Sequence, residues 1–253
     1  LIQEDLSSYD LQNLRFTLSA GEPLTPEIIK AWKEGTGLDI YEFYGQSETV
    51  ALLANFRCKP IKYGSIGIPT PGHTMAVVDE NGGEFPSGEE GYVALKVKPD
   101  RPPGLMVEYW KNPQAMAKAF RGNWYFTGDK AYRDEEGYFW FIGREKEIIK
   151  TAEQSVAPLE VERILLEHPA VMEAAVIGLP GEKMSEIIKA FVSLRPTFQP
   201  SERLSREILE QVSRKLEPQK CPREVEFLRE LPKTTTGKIR RSELKSREME
   251  KRS

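Results

Sequence analysis

A strand, a helix and a second strand follow one another within residues 14–44, and this order constrains the fold more than any other feature of the sequence. Residues 14–19 and 38–44 have strand-like patterns, and between them Thr25 and Pro26 are typical of a helix start. Two strands joined by one helix form a parallel pair with a right-handed crossover. The turns that follow the two strands therefore lie at the same edge of a sheet, where open α/β sheets bind ligands.

The pattern changes twice further along the chain. From about residue 63 to residue 142, short apolar runs alternate with turn signals, which predicts a β-rich subdomain with one helical stretch near 113–120. After residue 145, helical and strand-like periods alternate again and end in a basic tail. We therefore expect two domains: residues 1–145, of α/β and then β-barrel-like structure, and residues 146–253, a small α+β domain.

Composition excludes several classes of function. The net charge is −3, with 39% hydrophobic and 30% charged residues, so no strong field recruits nucleic acid or anionic lipid. The two histidines, His73 and His168, lie in structural contexts, which argues against Ser/His hydrolysis and histidine metal sites. No apolar run is long enough to span a membrane, and the two separate cysteines suggest a reducing, cytoplasmic location.

The first chemical motif is the stretch of residues 41–49, with the sequence YEFYGQSET. Here Tyr44 can lie against a flat ring, Gly45 can allow a ligand close to the backbone, and Glu48 can bind a hard cation. A strand followed by a solvated turn would give the same pattern.

The second motif is the stretch of residues 124–129, WYFTGD, followed by Gly143 and Arg144. Asp129 can accept both hydroxyls of a ribose, and Arg144 can donate to the same sugar or to a phosphate. A hairpin with a surface arginine is an equally good interpretation of these residues alone.

The third motif is the stretch of residues 231–241, LPKTTTGKIRR. It is not a phosphate-binding P-loop, because the first glycine is absent and Ile239 follows Lys238. A Gly-Lys turn can still deliver one cation to a carboxylate or phosphoryl oxygen. The alternative is a solvated basic tail, since residues 231–253 hold eight Lys/Arg and three Glu.

Together and in this order, the motifs closely resemble those of the acyl-adenylate-forming (AMP-binding) superfamily, nearest to medium-chain acyl-CoA synthetases. The resemblance covers essentially the whole chain and rests on residues 19–24, 44–48, 125–129, 143–144 and 232–238. It implies that residues 1–145 are the C-terminal portion of a large AMP-binding domain and that residues 146–253 are a small α+β lid domain.

The resemblance also implies a site. In this family a carboxylate attacks ATP to give an acyl-adenylate, and a thiol then displaces AMP. The implied nucleotide-binding residues are Gly21, Glu22, Pro23, Glu42, Phe43, Tyr44, Gly45, Gln46, Asp129 and Arg144. Ser47 would contact the carboxylate and α-phosphate, Glu48 would hold Mg²⁺, and Lys238 would stabilise charge during adenylation only. Lys146 would be the hinge on which the small domain turns, and Ala152, Glu153 and Gln154 would lie beside CoA.

Three departures from the family pattern matter. The upstream Ser/Thr/Gly-rich loop that cradles the β- and γ-phosphates is absent, so we expect a fragment that is inactive by itself. Glu153 stands where the family usually has a glycine near the pantetheine, and Met184 stands where relatives have an arginine that contacts CoA phosphates.

The sequence therefore predicts an ATP-dependent carboxylic acid–CoA ligase that uses ATP, Mg²⁺ and coenzyme A. One alternative is an adenylating enzyme whose acceptor is not CoA. Another is a non-catalytic remnant that binds nucleotide or acts as a partner subunit. The expected partners are the carboxylic acid, ATP and CoA, with the missing N-terminal half or a second copy as a further possibility.

Overall fold

The computed structural model describes residues 5–21, 24, 26–181, 185–235 and 237–252, and for Ser7, Pro26 and Glu27 it describes the backbone alone. The chain divides into two compact units, Leu1–Ile142 and Gly143–Ser253. The assignment of residues 1–145 and 146–253 to two functional domains stays a prediction. Within the part of the chain that the structure describes, no helix has the length and apolar character to cross a membrane.

The first unit begins with a four-stranded sheet. Its elements are β1 (Thr17–Ala20), α1 (Pro26–Thr36), β2 (Ile40–Gln46), β3 (Val50–Ala54) and β4 (Ile68–Pro69), and the strand order is β1-β2-β3-β4. Strands β1 and β2 are parallel, as the strand-helix-strand pattern predicts, whereas β3 and β4 are antiparallel to their neighbours. Helix α1 buries Ile29 and Trp32. The ends of β1 and β2 consequently lie side by side.

A second sheet follows in the same unit. It contains β5 (Met75–Val78), β6 (Glu90–Lys96), β7 (Phe120–Arg121), β8 (Trp124–Arg133) and β9 (Phe139–Arg144), in the order β5-β6-β8-β7 with β9 beside β8. The last two residues of β9, Gly143 and Arg144, already belong to the second unit. The short helix α2 (Pro113–Ala119) is capped by Asn112, whose side chain accepts a hydrogen bond from the Ala115 amide. This sheet is the predicted β-rich subdomain.

Strand β8 is interrupted by a bulge opposite β6. Between two regular pairs, Tyr92↔Lys130 and Ala94↔Phe126, β6 advances two residues while β8 advances four. The extra length is accommodated at Gly128, whose φ of +78° is costly for any residue with a Cβ. A bulge bends the strand and redirects its side chains, and here it sets the position of Asp129.

The second unit is a three-stranded sheet with helices on both faces. Its elements are β10 (Ile149–Lys150), β11 (Ser155–Val156), α3 (Pro158–Leu166), β12 (Val171–Pro180), β13 (Glu186–Leu194), α4 (Glu202–Ser213), β14 (Glu224–Phe227) and α5 (Arg241–Arg252). Strands β12, β13 and β14 form the sheet in that order, and β10 pairs separately with β11. Ile188, Ala190 and Val192 face α3 and α4, as their alternation predicts. The other face packs against Leu231 and Leu244. The mixed α/β and α+β class expected from the sequence is confirmed.

The predicted basic tail is wrong for residues 241–252, because these residues form helix α5. Leu244 and Glu248 are buried on its inner side. Glu248 accepts a hydrogen bond from Lys189 at 2.6 Å, and Lys189 also pairs with Glu224 and Glu226 at 2.7 Å. Two positive charges of this helix, Lys245 and Lys251, also pair with acidic residues that are distant in the sequence, Glu186 and Glu226.

Candidate functional site

The end of β2 and the bulge of β8 meet at Asp129, which is only 4% exposed. Its Oδ2 atom accepts hydrogen bonds from the Tyr44 hydroxyl at 2.5 Å and from Gln46 Nε2 at 3.0 Å. Gln46 Nε2 also donates to the Thr127 carbonyl at 2.9 Å, and the Tyr125 hydroxyl donates to Gln46 Oε1 at 3.1 Å. The structure thus brings the first two sequence motifs together around one carboxylate.

Local hydrogen bonds hold the bulge that carries Asp129. The Thr127 hydroxyl donates to the Val93 carbonyl at 3.0 Å, and the Asp129 amide donates to the same hydroxyl oxygen at 3.2 Å. Thr127 and Asp129 thereby have polar partners in place of a regular ladder. Asp129 is therefore held by hydrogen bonds to both its backbone amide and its carboxylate.

The tyrosines of this cluster are kept neutral. Burial raises the pKa of Tyr44, and the nearby Asp129 carboxylate raises it further. Burial also raises the pKa of Tyr125, as does the neighbouring Tyr109. These hydroxyls therefore keep their protons and remain hydrogen-bond donors at neutral pH.

Glu48 has a partner that the sequence analysis missed. The Tyr109 hydroxyl donates to Glu48 Oε1 at 3.1 Å, and the Met106 amide donates to the Glu48 carbonyl at 2.6 Å. The pKa of Tyr109 is raised by burial. Tyr109 is far from Glu48 in sequence and lies in a stretch without a recognisable motif, so no local signal could have identified it.

The surroundings of Glu48 bear on its predicted role as a metal ligand. Among the described residues, no three His, Cys, Asp or Glu side chains converge as a metal cage. Mg²⁺ is commonly bound through one or two carboxylates, with water and substrate phosphates completing its coordination. The single half-buried Glu48 carboxylate fits that mode of binding.

Gly45 lies near the end of β2, and Ser47 directly follows that strand. A Cβ atom on Gly45 would lie 1.7 Å from the Val50 carbonyl oxygen, so the chain itself requires glycine here. Whether a ligand also approaches Gly45 stays a prediction. Ser47 is exposed in the turn between β2 and β3.

The turn after β1 lies beside the end of β2. Ala20 pairs with Phe43, which brings Gly21 next to the second strand. The buried Glu42 accepts a hydrogen bond from the Leu24 amide at 3.1 Å and so fixes the far side of this turn. The predicted nucleotide-binding residues Glu22 and Pro23 lie outside the described residues.

The remaining predicted residues belong to the second unit. Arg144 ends β9, and Lys146 follows in a short 3-10 helix, Glu145–Glu147. Ala152 and Glu153 are exposed in the turn between β10 and β11. Gln154, at the end of that turn, donates from Nε2 to Glu217 at 3.2 Å. Met184, the other departure from the family pattern, lies outside the described residues.

Lys238 lies in a turn that is closed by its own backbone. The Thr234 amide donates to the Lys238 carbonyl at 2.8 Å, and the Lys238 amide donates to the Thr234 hydroxyl at 3.1 Å. Lys233 and Ile239 form a β-bridge across the turn. The lysine is therefore carried by a short hairpin between β14 and α5.

Sequence comparison identifies two parts of the chain. The sequence model described as AMP-binding enzyme matches residues 2–110, and the one described as AMP-binding enzyme C-terminal domain matches residues 160–238. The mitochondrial acyl-coenzyme A synthetase ACSM3 of Rattus norvegicus is 46% identical over 250 residues, which are 98% of this chain and 43% of the relative. The mitochondrial ACSM5 of Homo sapiens is 45% identical over the same proportions.

Comparison with solved structures also finds a CoA ligase. The crystal structure of the anthranilate CoA ligase AuaEII in complex with anthranoyl-AMP matches with a TM-score of 0.84 and 40% identity, over 97% of this chain and 47% of that one. The chain thus spans less than half the length of the relatives it matches.

These relatives also correct the expected location. A cytoplasmic protein was predicted from the cysteine content, but ACSM3 and ACSM5 are both mitochondrial enzymes, and the prediction is wrong. A reducing environment is not unique to one compartment, so two free cysteines could not have distinguished them. Two family models match the chain in order, and the alignment with an acyl-CoA synthetase covers 98% of it. This chain therefore belongs to the AMP-binding enzyme family.

Proposed function

We propose that these residues form part of an ATP-dependent carboxylic acid–CoA ligase that acts through an acyl-adenylate. The observation that carries the proposal is the 46% identity, over 98% of the chain, to a protein named as an acyl-coenzyme A synthetase. A structural relative binds anthranoyl-AMP, which is itself an acyl-adenylate. The arrangement of carboxylates in the first unit suits the same chemistry.

Asp129 is the proposed acceptor for the ribose hydroxyls. A carboxylate that receives hydroxyl hydrogen bonds needs a fixed orientation, and Tyr44 and Gln46 supply it through Oδ2. Since the carboxylate is already desolvated, a ribose does not have to displace a full hydration shell. The ribose would be held in both half-reactions.

Glu48 and Ser47 are the proposed residues at the phosphate end. Glu48 would bind Mg²⁺, which supplies neutralisation of phosphate charge when bound. Tyr109 holds one Glu48 oxygen and thereby limits the directions in which the carboxylate can point. Ser47 would donate its hydroxyl hydrogen bond to the substrate carboxylate or α-phosphate.

Lys238 is the proposed cation of the adenylation step. Negative charge builds up between the attacking carboxylate and the α-phosphate, and one ammonium group directed at that charge lowers the barrier. Lys146 is the proposed hinge through which the second unit changes orientation between half-reactions. Residues 152–154 would then lie beside CoA.

An exchange assay tests the proposal. Because the chain spans 43% of the length of ACSM3, we expect ATP–pyrophosphate exchange only after fusion to the residues that correspond to the rest of that relative. Exchange with an aliphatic or aromatic acid, followed by CoA thioester formation, is the expected result. A fusion that folds and binds AMP but exchanges with no acid would contradict the ligase. Robust exchange by the 253-residue chain would contradict its being a fragment, and adenylate formation without thioester would indicate another acceptor.

A further inference from the structure

The guanidinium of Arg241, three residues after Lys238, is bound by the side chain of Glu162 on helix α3. Its Nε donates to Glu162 Oε1 at 3.0 Å, and its Nη2 donates to Glu162 Oε2 at 2.7 Å. The Glu162 side chain is 5% exposed and also accepts a hydrogen bond from the Val176 amide at 2.8 Å. Two parallel bonds to a planar group fix its direction as well as its distance.

A third bond extends this contact toward the start of the unit. Arg241 Nη1 donates to Glu147 Oε2 at 3.2 Å, and Glu147 directly follows Lys146. One guanidinium therefore joins α3, the 3-10 segment that contains the proposed hinge, and the first residue of α5. All of these contacts lie within the second unit.

The other arm of the Lys238 turn is also anchored. Lys233 Nζ lies 2.6 Å from Glu173 on β12, and the Arg240 amide donates to the Pro232 carbonyl at 2.8 Å. Ile239 packs against the core beside Leu231. Ion pairs thus hold the chain on both sides of the turn.

Stability alone is a poor explanation for the Arg241–Glu162 pair. Burying two charges costs desolvation energy, and well-packed apolar residues often serve stability equally well or better. What a bidentate pair supplies is a defined geometry. Here the guanidinium with this fixed geometry belongs to a residue only three positions after Lys238, the proposed catalytic lysine.

We propose that Arg241, seated on Glu162 and Glu147, is a positioning residue for Lys238. It makes the Lys238 turn a rigid part of the second unit, so that rotation at Lys146 carries the lysine to a defined position. The inference rests on the proposed function of Lys238.

The first test measures the turn itself in the 253-residue chain. The amides of Thr234, Gly237, Lys238 and Arg240 donate hydrogen bonds that close the turn, and their hydrogen exchange reports its opening. Glu162→Gln removes the charge and one acceptor, and we expect exchange at these amides to become at least about tenfold faster.

The matched control is Glu248→Gln. Glu248 is an equally buried carboxylate in the same unit and is also paired with cations, but those cations, Lys189 and Lys251, lie outside the turn. It should leave exchange at the four amides unchanged relative to the rest of the unit. Equal acceleration in both variants would mean a general structural role and would overturn the inference.

The second test uses the complete enzyme and separates the half-reactions. Arg241→Met and Glu147→Gln should lower the kcat of ATP–pyrophosphate exchange with little change in the KM for ATP, and Arg241→Lys should recover part of the loss. Thioester formation from preformed acyl-adenylate should be unaffected. Equal loss in both half-reactions, or no loss while Lys238→Ala abolishes exchange, would overturn the positioning role. If Lys238→Ala itself leaves exchange intact, the proposed function of Lys238 fails and the positioning role fails with it.

Discussion

The hydroxyl of Tyr44 lies 2.5 Å from Oδ2 of Asp129, although the two residues are 85 positions apart in the sequence. Tyr44 lies near the end of β2, and Asp129 lies in the bulge of β8, which belongs to the other sheet. The bond therefore joins the two sheets of the first unit at the proposed ribose site.

Removing that hydroxyl should loosen the first unit. Tyr44→Phe leaves the buried Asp129 with one donor fewer to Oδ2, and we expect a loss of about 1–2 kcal/mol in the free energy of unfolding. Denaturant unfolding followed by fluorescence measures it. The matched control is Tyr63→Phe, since Tyr63 also donates to a carboxylate, that of Asp39 at 2.6 Å, but is exposed. Equal losses in both variants would contradict a special role for the buried bond.

Lys238→Ala should act on one half-reaction only. Loss of a single cation that stabilises the transition state typically lowers a rate by about a hundredfold or more. In the complete enzyme, ATP–pyrophosphate exchange should fall by that amount, while thioester formation from preformed adenylate should be nearly unchanged. An equal decrease of both rates would remove Lys238 from its assigned role.

The network around Glu248 should make the second unit sensitive to acid. Burial alone would raise the pKa of Glu248, but hydrogen bonds from Lys189 and Lys251 outweigh burial and lower it below the usual 4.5. A lowered pKa contributes stability that is present above 4.5 and is lost as the pH falls through the folded-state value. Glu248→Gln should therefore flatten the loss of stability between about pH 5 and pH 3.

Urea unfolding of the chain across that pH range checks this expectation. Glu250→Gln is the matched control, because Glu250 lies exposed on the same helix. A parent and a Glu248→Gln variant with parallel pH profiles would show that the network does not contribute to acid sensitivity.

Glu153→Gly should change the KM for CoA and leave adenylation unchanged. Glu153 is exposed in the β10–β11 turn, where a carboxylate would repel the phosphates of CoA if the coenzyme passes there as proposed. The KM for CoA should decrease in the variant, and ATP–pyrophosphate exchange should serve as the unchanged internal reference. An unchanged KM would indicate that residues 152–154 do not line the CoA path.

Much of the fold could be predicted because its signals are local. The β1-α1-β2 unit follows from residue patterns along a short stretch, and α4 follows from Ser201, whose side chain caps it by accepting from the Leu204 amide. Helix α5 was missed because its apolar content is low. Its charges are neutralised by distant partners, such as Glu186 for Lys245, which no local pattern reveals.

The site was predictable in part for the same reason. The resemblance identified Tyr44, Gln46 and Asp129 individually, but not the bonds between them, which depend on how two sheets meet. Tyr109 was missed because its relation to Glu48 is made only in three dimensions. The Arg241–Glu162 pair was missed for the same reason.

The bulge in β8 has a further consequence, for insertions and deletions. Its excess over β6 is two residues, since β8 takes four steps where β6 takes two. Side chains of a strand alternate with a period of two, so deleting two residues would restore regular pairing and leave every later side chain on its present face. A chain without Gly128 and Asp129 would keep the register of this sheet but would lose the buried carboxylate and its bonds to Tyr44 and Gln46. The two extra residues of β8 therefore serve the placement of Asp129 and its link to the first sheet, since regular pairing with β6 does not require them.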